Sequence, residues 1–132
     1  MIERTASCAC GATGLTARGE PARISMCHCG GCKRRTGSAF SLNATWPWDQ
    51  VDVSGDCTTY ERSNEEGLWV RERFCPTCGT RTFYELEVRP GMVSVPVGLF
   101  MDADFPPPRL ELYRDLAMRG MTASFEPAPE PL

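Results

Sequence analysis

Seven of the eight cysteines fall into three tight groups: Cys8-Ala9-Cys10-Gly11, Cys27-His28-Cys29-Gly30-Gly31-Cys32 and Cys75-Pro76-Thr77-Cys78-Gly79, with Cys57 alone. Two thiolates one or two residues apart can reach the same metal ion, because a short turn brings the side chains together and a following glycine lets the backbone bend. Soft sulfur donors favour zinc over calcium or magnesium. Seven ligands cannot make two closed four-cysteine sites, so one site should be short of a ligand. A site closed by four protein ligands is characteristically structural, whereas three leave a position for water or a substrate atom. The natural division joins Cys8, Cys10, Cys75 and Cys78 as a closed structural zinc site and leaves Cys27, Cys29 and Cys32 as an open, catalytic one. Spacing leaves other divisions open, such as Cys8 and Cys10 closing with Cys29 and Cys32.

His28, the only histidine, lies between two ligands and on extended backbone would point away from their metal. It reads as a packing or supporting residue, and Cys57, in a strand-like run, as a buried small hydrophobe. Lys33-Arg34-Arg35 follows the triplet directly and offers candidate contacts to an anionic substrate. Asp49, Asp52 and Glu72 show no pairing that marks a general acid or base, and read as solvated. Cys29-Gly30-Gly31-Cys32 alone would also suit a redox motif, but the βαβ context that motif needs is missing. An iron–sulfur cluster is a further use of such ligands.

The elements that must carry these groups are mostly strands. Alternating apolar positions predict strands over 22–26, 39–46, 51–53, 57–62, 68–74, 81–88 and 92–97. The third cysteine pair then sits at the turn between the strands 68–74 and 81–88. Short helical turns are expected after Cys32 and around 112–118. Pro106-Pro107-Pro108 marks a connector, and 126–132, with three prolines, a C-terminal tail to a single domain spanning 1–125. With 132 residues the chain suits one domain, and it has no long apolar run or signal-like start. We therefore expect a soluble, cytoplasmic protein. Its eight cysteines fall below the share of roughly 8 to 10% that marks disulfide scaffolds. A net charge of −3 argues against nucleic acid or membrane partners. Charge is nonetheless uneven: residues 1–50 carry six basic against three acidic side chains, and the remainder eight against fourteen.

The three cysteine groups in this order, with Arg34-Arg35-Thr36-Gly37-Ser38 after the second and Phe74 and Thr80 flanking the third, resemble the glutathione-dependent formaldehyde-activating enzyme family, which includes the centromere protein V relatives. The resemblance runs from about Ser7 to Leu99. It implies a mainly β, Mss4-like fold of small antiparallel sheets with few short helices. It also implies two zinc ions per chain: structural at Cys8, Cys10, Cys75 and Cys78, catalytic at Cys27, Cys29 and Cys32. The implied activity is condensation of glutathione, or a similar small thiol, with formaldehyde to S-(hydroxymethyl)glutathione, a carbon–sulfur lyase reaction run in reverse. The chain departs from the family pattern near its end, where a His after the proline connector and a later Trp are frequent. Here Arg109-Leu110-Glu111-Leu112-Tyr113 follows Pro108, with no Trp beyond. A non-catalytic alternative makes both metals structural, the fold serving as an interaction or chaperone-like module. A third reading is thiol redox chemistry or metal storage.

Overall fold

In a computed structural model the structure describes residues 1–123, so the proline-rich tail expected at 126–132 lies outside the described residues. The described residues form ten strands and one short α-helix, mainly β as the alternating sequence pattern predicts. Strands β1 (Glu3–Ser7), β2 (Gly14–Arg18) and β5 (Val51–Ser54) form a three-stranded sheet in the order β1-β2-β5. The larger sheet has seven strands in the order β10-β3-β4-β9-β8-β7-β6. These are β3 (Arg23–Cys27), β4 (Ser41–Pro47), β6 (Thr58–Ser63), β7 (Trp69–Phe74), β8 (Arg81–Leu86), β9 (Met92–Pro96) and β10 (Leu110–Leu112). Every pairing is antiparallel except β10 with β3, which is parallel. Helix α1 (Gly30–Thr36) follows β3.

Strand β4, near the middle of the large sheet, shows how the sequence divides its two faces. Ala44 and Trp46 point into the hydrophobic core, while Ser41, Asn43 and Thr45, equally buried, belong to the opposite face. The same alternation puts Val93 and Val95 of β9 in the core and Ser94 on the far side. The core is completed by Ala6, Leu15 and Val51 of the small sheet and by Phe100 and Phe105. Trp46 is fully buried and its indole N–H donates to the Gly19 carbonyl at 2.9 Å, so this ring seals the core. Trp48 is half-buried, edge-on to Phe83, and donates to Glu85 at 3.0 Å.

Three expectations are corrected. The segment after Pro108 opens as strand β10 and only then makes a single 3-10 turn at Arg114–Leu116, because its backbone pairs with β3 in register Leu112 to Cys27. The N-terminal strands β1 and β2, which the sequence pattern did not single out, are held by each other and by β5. Glu72 is not solvated: it is 2% exposed and ion-paired to Arg62 and, at 2.6 Å, to Arg81. These partners, on the strands either side of Glu72, meet it only through the β6–β7–β8 register, which a single strand's pattern does not display. Cys57 is half-buried just ahead of β6 and packs beside the core, its sulfur 3.9 Å from the Thr82 hydroxyl.

Candidate metal centres and cleft

Two turns from different sheets meet to form the first cluster. The β1–β2 turn carries Cys8 and Cys10, and the β7–β8 turn carries Cys75 and Cys78. Each turn closes by a glycine with positive φ, Gly11 at 83° and Gly79 at 79°, a conformation that a side chain would strain. Backbone N–H groups aim at the sulfurs: Thr13 N–H at Cys8 Sγ (3.2 Å) and Thr77 N–H at Cys75 Sγ (3.4 Å). The Ala9 N–H donates to Thr80 Oγ1 at 3.1 Å and so ties one turn to the other. The four sulfurs lie within 4.8 Å of one another. Cys10 Sγ stands 3.7 Å from both Cys8 Sγ and Cys75 Sγ. A tetrahedral zinc with bonds near 2.3 Å needs sulfurs about 3.8 Å apart, so the donor set and spacing fit zinc. The Cys78 thiol is held down at about 5, first by its hydrogen bond with Thr80.

The second cluster is Cys27, Cys29 and Cys32, again with all sulfurs within 4.8 Å. Cys27 ends β3, and Cys29 caps α1, its sulfur accepting from the Cys32 N–H at 3.3 Å. The capping geometry is what folds the third cysteine back onto the first two. Hydrogen bonds from the Cys27 and Cys29 thiols hold Cys32 far below its ordinary value, with burial opposing and the Arg35 charge assisting. Cys27, their donor, is pushed up. The triplet therefore favours negative charge at Cys32 alone, Cys29 being pushed up like Cys27, and a cation ligated by all three sulfurs would draw the other two into the thiolate form. Three thiolate donors within this spacing fit zinc as well, with one coordination position not supplied by cysteine.

His28 is fully buried, does not belong to either sulfur cluster, and bonds through Nε2 to Glu111 Oε2 at 2.7 Å. Glu111 sits on β10, and the His28 hydrogen bond is the first cause holding its carboxyl below the usual range. This pair fastens β10 to the triplet loop, and the next two residues, Leu112 and Tyr113, pack against the three cysteines. The Tyr113 hydroxyl donates to Glu66, which pushes the phenol up to about 12.

The triplet opens into a cleft of about 640 Å³ lying on the non-core face of the large sheet. Its floor carries Ser25, Asn43, Thr45, Ser94 and Tyr84, and its apolar wall Leu68, Val70 and Leu86. The run Lys33, Arg34 and Arg35 does not line it. Lys33 Nζ donates to the Leu116 carbonyl at 2.5 Å and Arg34 is exposed. Arg35 is buried beneath the helix, bonded to Asn43 Oδ1 at 3.1 Å, 3.9 Å from Cys32 Sγ and 4.4 Å from the Tyr84 ring centre. The guanidiniums that do reach the cleft are Arg23, Arg62, Arg89 and Arg114. Sequence reasoning missed them because they come from four separate segments; for Arg23 the strand alternation that places it on the face of Ser25 and Cys27 was the available signal.

Residues 3–115 match the family described as glutathione-dependent formaldehyde-activating enzyme. The chain belongs to this family. A solved Rhodobacter sphaeroides protein from a structural genomics programme shares the fold, with a TM-score of 0.61 and 22% identity over 82% of this chain and 98% of that one. No curated protein matches the chain. Family membership fits two sulfur clusters that could each hold zinc, Cys8, Cys10, Cys75 and Cys78 in one group and Cys27, Cys29 and Cys32 in the other. Among the described residues no helix is long and apolar enough to cross a membrane.

Proposed function

We propose that the protein adds a small thiol, glutathione or a close analogue, to formaldehyde or a related electrophile at the Cys27–Cys29–Cys32 site. The observation that carries this reading is that the triplet, and not the four-cysteine cluster, borders the large cleft. In the reaction the thiol sulfur forms a bond to the carbonyl carbon, the C=O π bond opens, and the thiol proton ends on oxygen, giving RS–CH2–OH. A zinc ion held by the triplet would favour the thiolate form of the substrate, which is the nucleophile. The chain's own part is to hold the metal and enclose the reactants. Leu112 and Tyr113 cover one side of the triplet, and the cleft floor offers hydroxyl and amide groups for orientation. Arg35, from behind, adds positive charge at Cys32 and assists the hydrogen bonds from Cys27 and Cys29 that hold that sulfur down. Cys8, Cys10, Cys75 and Cys78 would hold the second, structural zinc.

The deciding experiment is zinc content of protein purified reduced and without oxygen, wild type beside Cys29→Ser, followed by glutathione consumption with formaldehyde above the uncatalysed rate. Two zinc ions in wild type and one in a still-folded variant, with acceleration lost in the variant, are the expected results. One zinc or none in wild type overturns the open-site reading, and no acceleration by two-zinc protein favours the interaction module.

A further inference from the structure

The cleft has two chemically different ends. Beside the triplet, Glu65 accepts from the Gly30 N–H at 2.7 Å and Glu66 from the Tyr113 hydroxyl, so acidic groups border the sulfurs. At the other end stand Arg23, which opens β3, and Arg89, from the β8–β9 turn. Cys27 and Arg23 are four residues apart on one face of one strand, which places their backbones about 13 Å apart. Cross-strand register puts Arg23 opposite Thr45, and Thr45 opposite Ser94, in a single row across the floor.

Of the four arginines on the cleft wall, Arg62 is paired with Glu72, and Arg114 lies 3.6 Å from Glu111. Arg23 and Arg89, both half-buried, make no ion pair and no side-chain hydrogen bond among the described residues. Arg23 is held below its ordinary value first by burial and then by the charge of Arg89, so the two guanidiniums sense each other. Two partly desolvated like charges with no carboxylate paired to either are an unfavourable arrangement that a bound anion relieves. Paired planar guanidiniums also match the geometry of a carboxylate. Glu65 and Glu66 at the triplet end, with Asp115 also lining the cleft, disfavour a multiply charged group such as a phosphate ester and suit an ammonium.

We infer that Arg23 and Arg89 form a carboxylate-recognition subsite, so that the thiol used here carries a carboxylate at its far end and enters with its sulfur toward Cys27. The inference rests on the proposed placement of the thiol at the triplet. It moves anion recognition away from Lys33, Arg34 and Arg35, the residues adjacent in sequence to the cysteines.

The test is calorimetric binding of S-methylglutathione to the zinc-loaded full chain, a probe whose sulfur has no proton and which therefore reads binding without turnover. Wild type should bind it, and Arg23→Gln or Arg89→Gln should each weaken binding about ten-fold or more, the scale of a lost charge-assisted hydrogen bond. The dimethyl ester of the probe should bind weakly and equally to all three proteins, and Arg71→Gln, a charge control on an exposed pair with Glu61, should match wild type. Arg89→Gln, in a turn, carries the test should Arg23→Gln fail to fold by circular dichroism. The subsite is overturned by failure of wild type to bind the probe, or by equal binding of wild type and both variants. It is equally overturned by loss in Arg34→Gln instead, or by ten-fold tighter binding of 4′-phosphopantetheine. Binding that depends on both arginines, with no acceleration of hydroxymethyl adduct formation from glutathione and formaldehyde above the uncatalysed rate, keeps the subsite and removes the thiol chemistry. Adduct formation with unchanged KM in both variants does the reverse.

Discussion

His28 shows how one side chain between two ligands can govern the wall of a cleft. Its ring is fully buried, and its Nε2 has one protein partner, Glu111 Oε2 at 2.7 Å. Replacing Glu111 by Ala would leave that buried nitrogen without a partner, at a cost of about 1–3 kcal/mol. Urea unfolding of the zinc-loaded protein should show this loss, and Glu111→Gln, which still accepts from the ring, should recover most of it. Because β10 also carries Leu112 onto the triplet, Glu111→Ala should raise KM for the thiol more than Glu111→Gln does. Equal stability and equal KM in the two variants would mean that the pair does not hold the arm.

At the scale of elements, the N-terminal metal turn depends on a close approach made possible by a missing side chain. Gly55, after β5, has φ of 85°, and a Cβ there would stand 2.0 Å from the Ala12 carbonyl oxygen. Beside it, the Thr13 hydroxyl donates to the Asp56 carbonyl at 2.7 Å. Gly55→Ala should therefore cost about 2 kcal/mol or more, from backbone strain and overpacking together. It should also speed zinc release to a chromophoric chelator, since the displaced segment is the one that carries Cys10; unchanged unfolding and release would separate this turn from the metal site. Gly55 also illustrates what a sequence reveals. The cysteine groups and the β7–β8 hairpin were legible because their residues are neighbours in the chain and their alternation is local. Ligand arithmetic made the division of Cys8, Cys10, Cys75 and Cys78 from Cys27, Cys29 and Cys32 the natural one while leaving others open, and it is the grouping the fold produces. The pairing of β10 with β3, the burial of Glu72 and the arginines of the cleft were not legible. The first arises from register between distant segments and the second from register across two successive hairpins, and the lining of the cleft by Arg23 and Arg89 rather than by Lys33, Arg34 and Arg35 emerges only once the sheet is formed.

For the molecule as a whole, the four-cysteine cluster is the join between its two sheets. Cys8 and Cys10 belong to the turn of the three-stranded sheet, Cys75 and Cys78 to a turn of the seven-stranded one, and Cys10 and Cys75 are 65 residues apart. A metal there closes a long loop in addition to supplying its own binding energy, on the order of 10–16 kcal/mol for structural zinc sites at neutral pH. That is as large as the whole stability expected of a domain this size, about 5–15 kcal/mol. Cys75→Ser, or a chelator strong enough to strip this site, should consequently abolish cooperative unfolding of the entire domain. Cys29→Ser, at a triplet whose residues all lie at the end of β3 and the start of α1, should retain it. Thermal scans followed by near-ultraviolet circular dichroism, which reports the packing of Trp46 and Phe100 between the sheets, separate the two cases. A Cys75→Ser protein with a wild-type transition would mean that the core alone holds the sheets together and that the four cysteines serve some purpose other than the join.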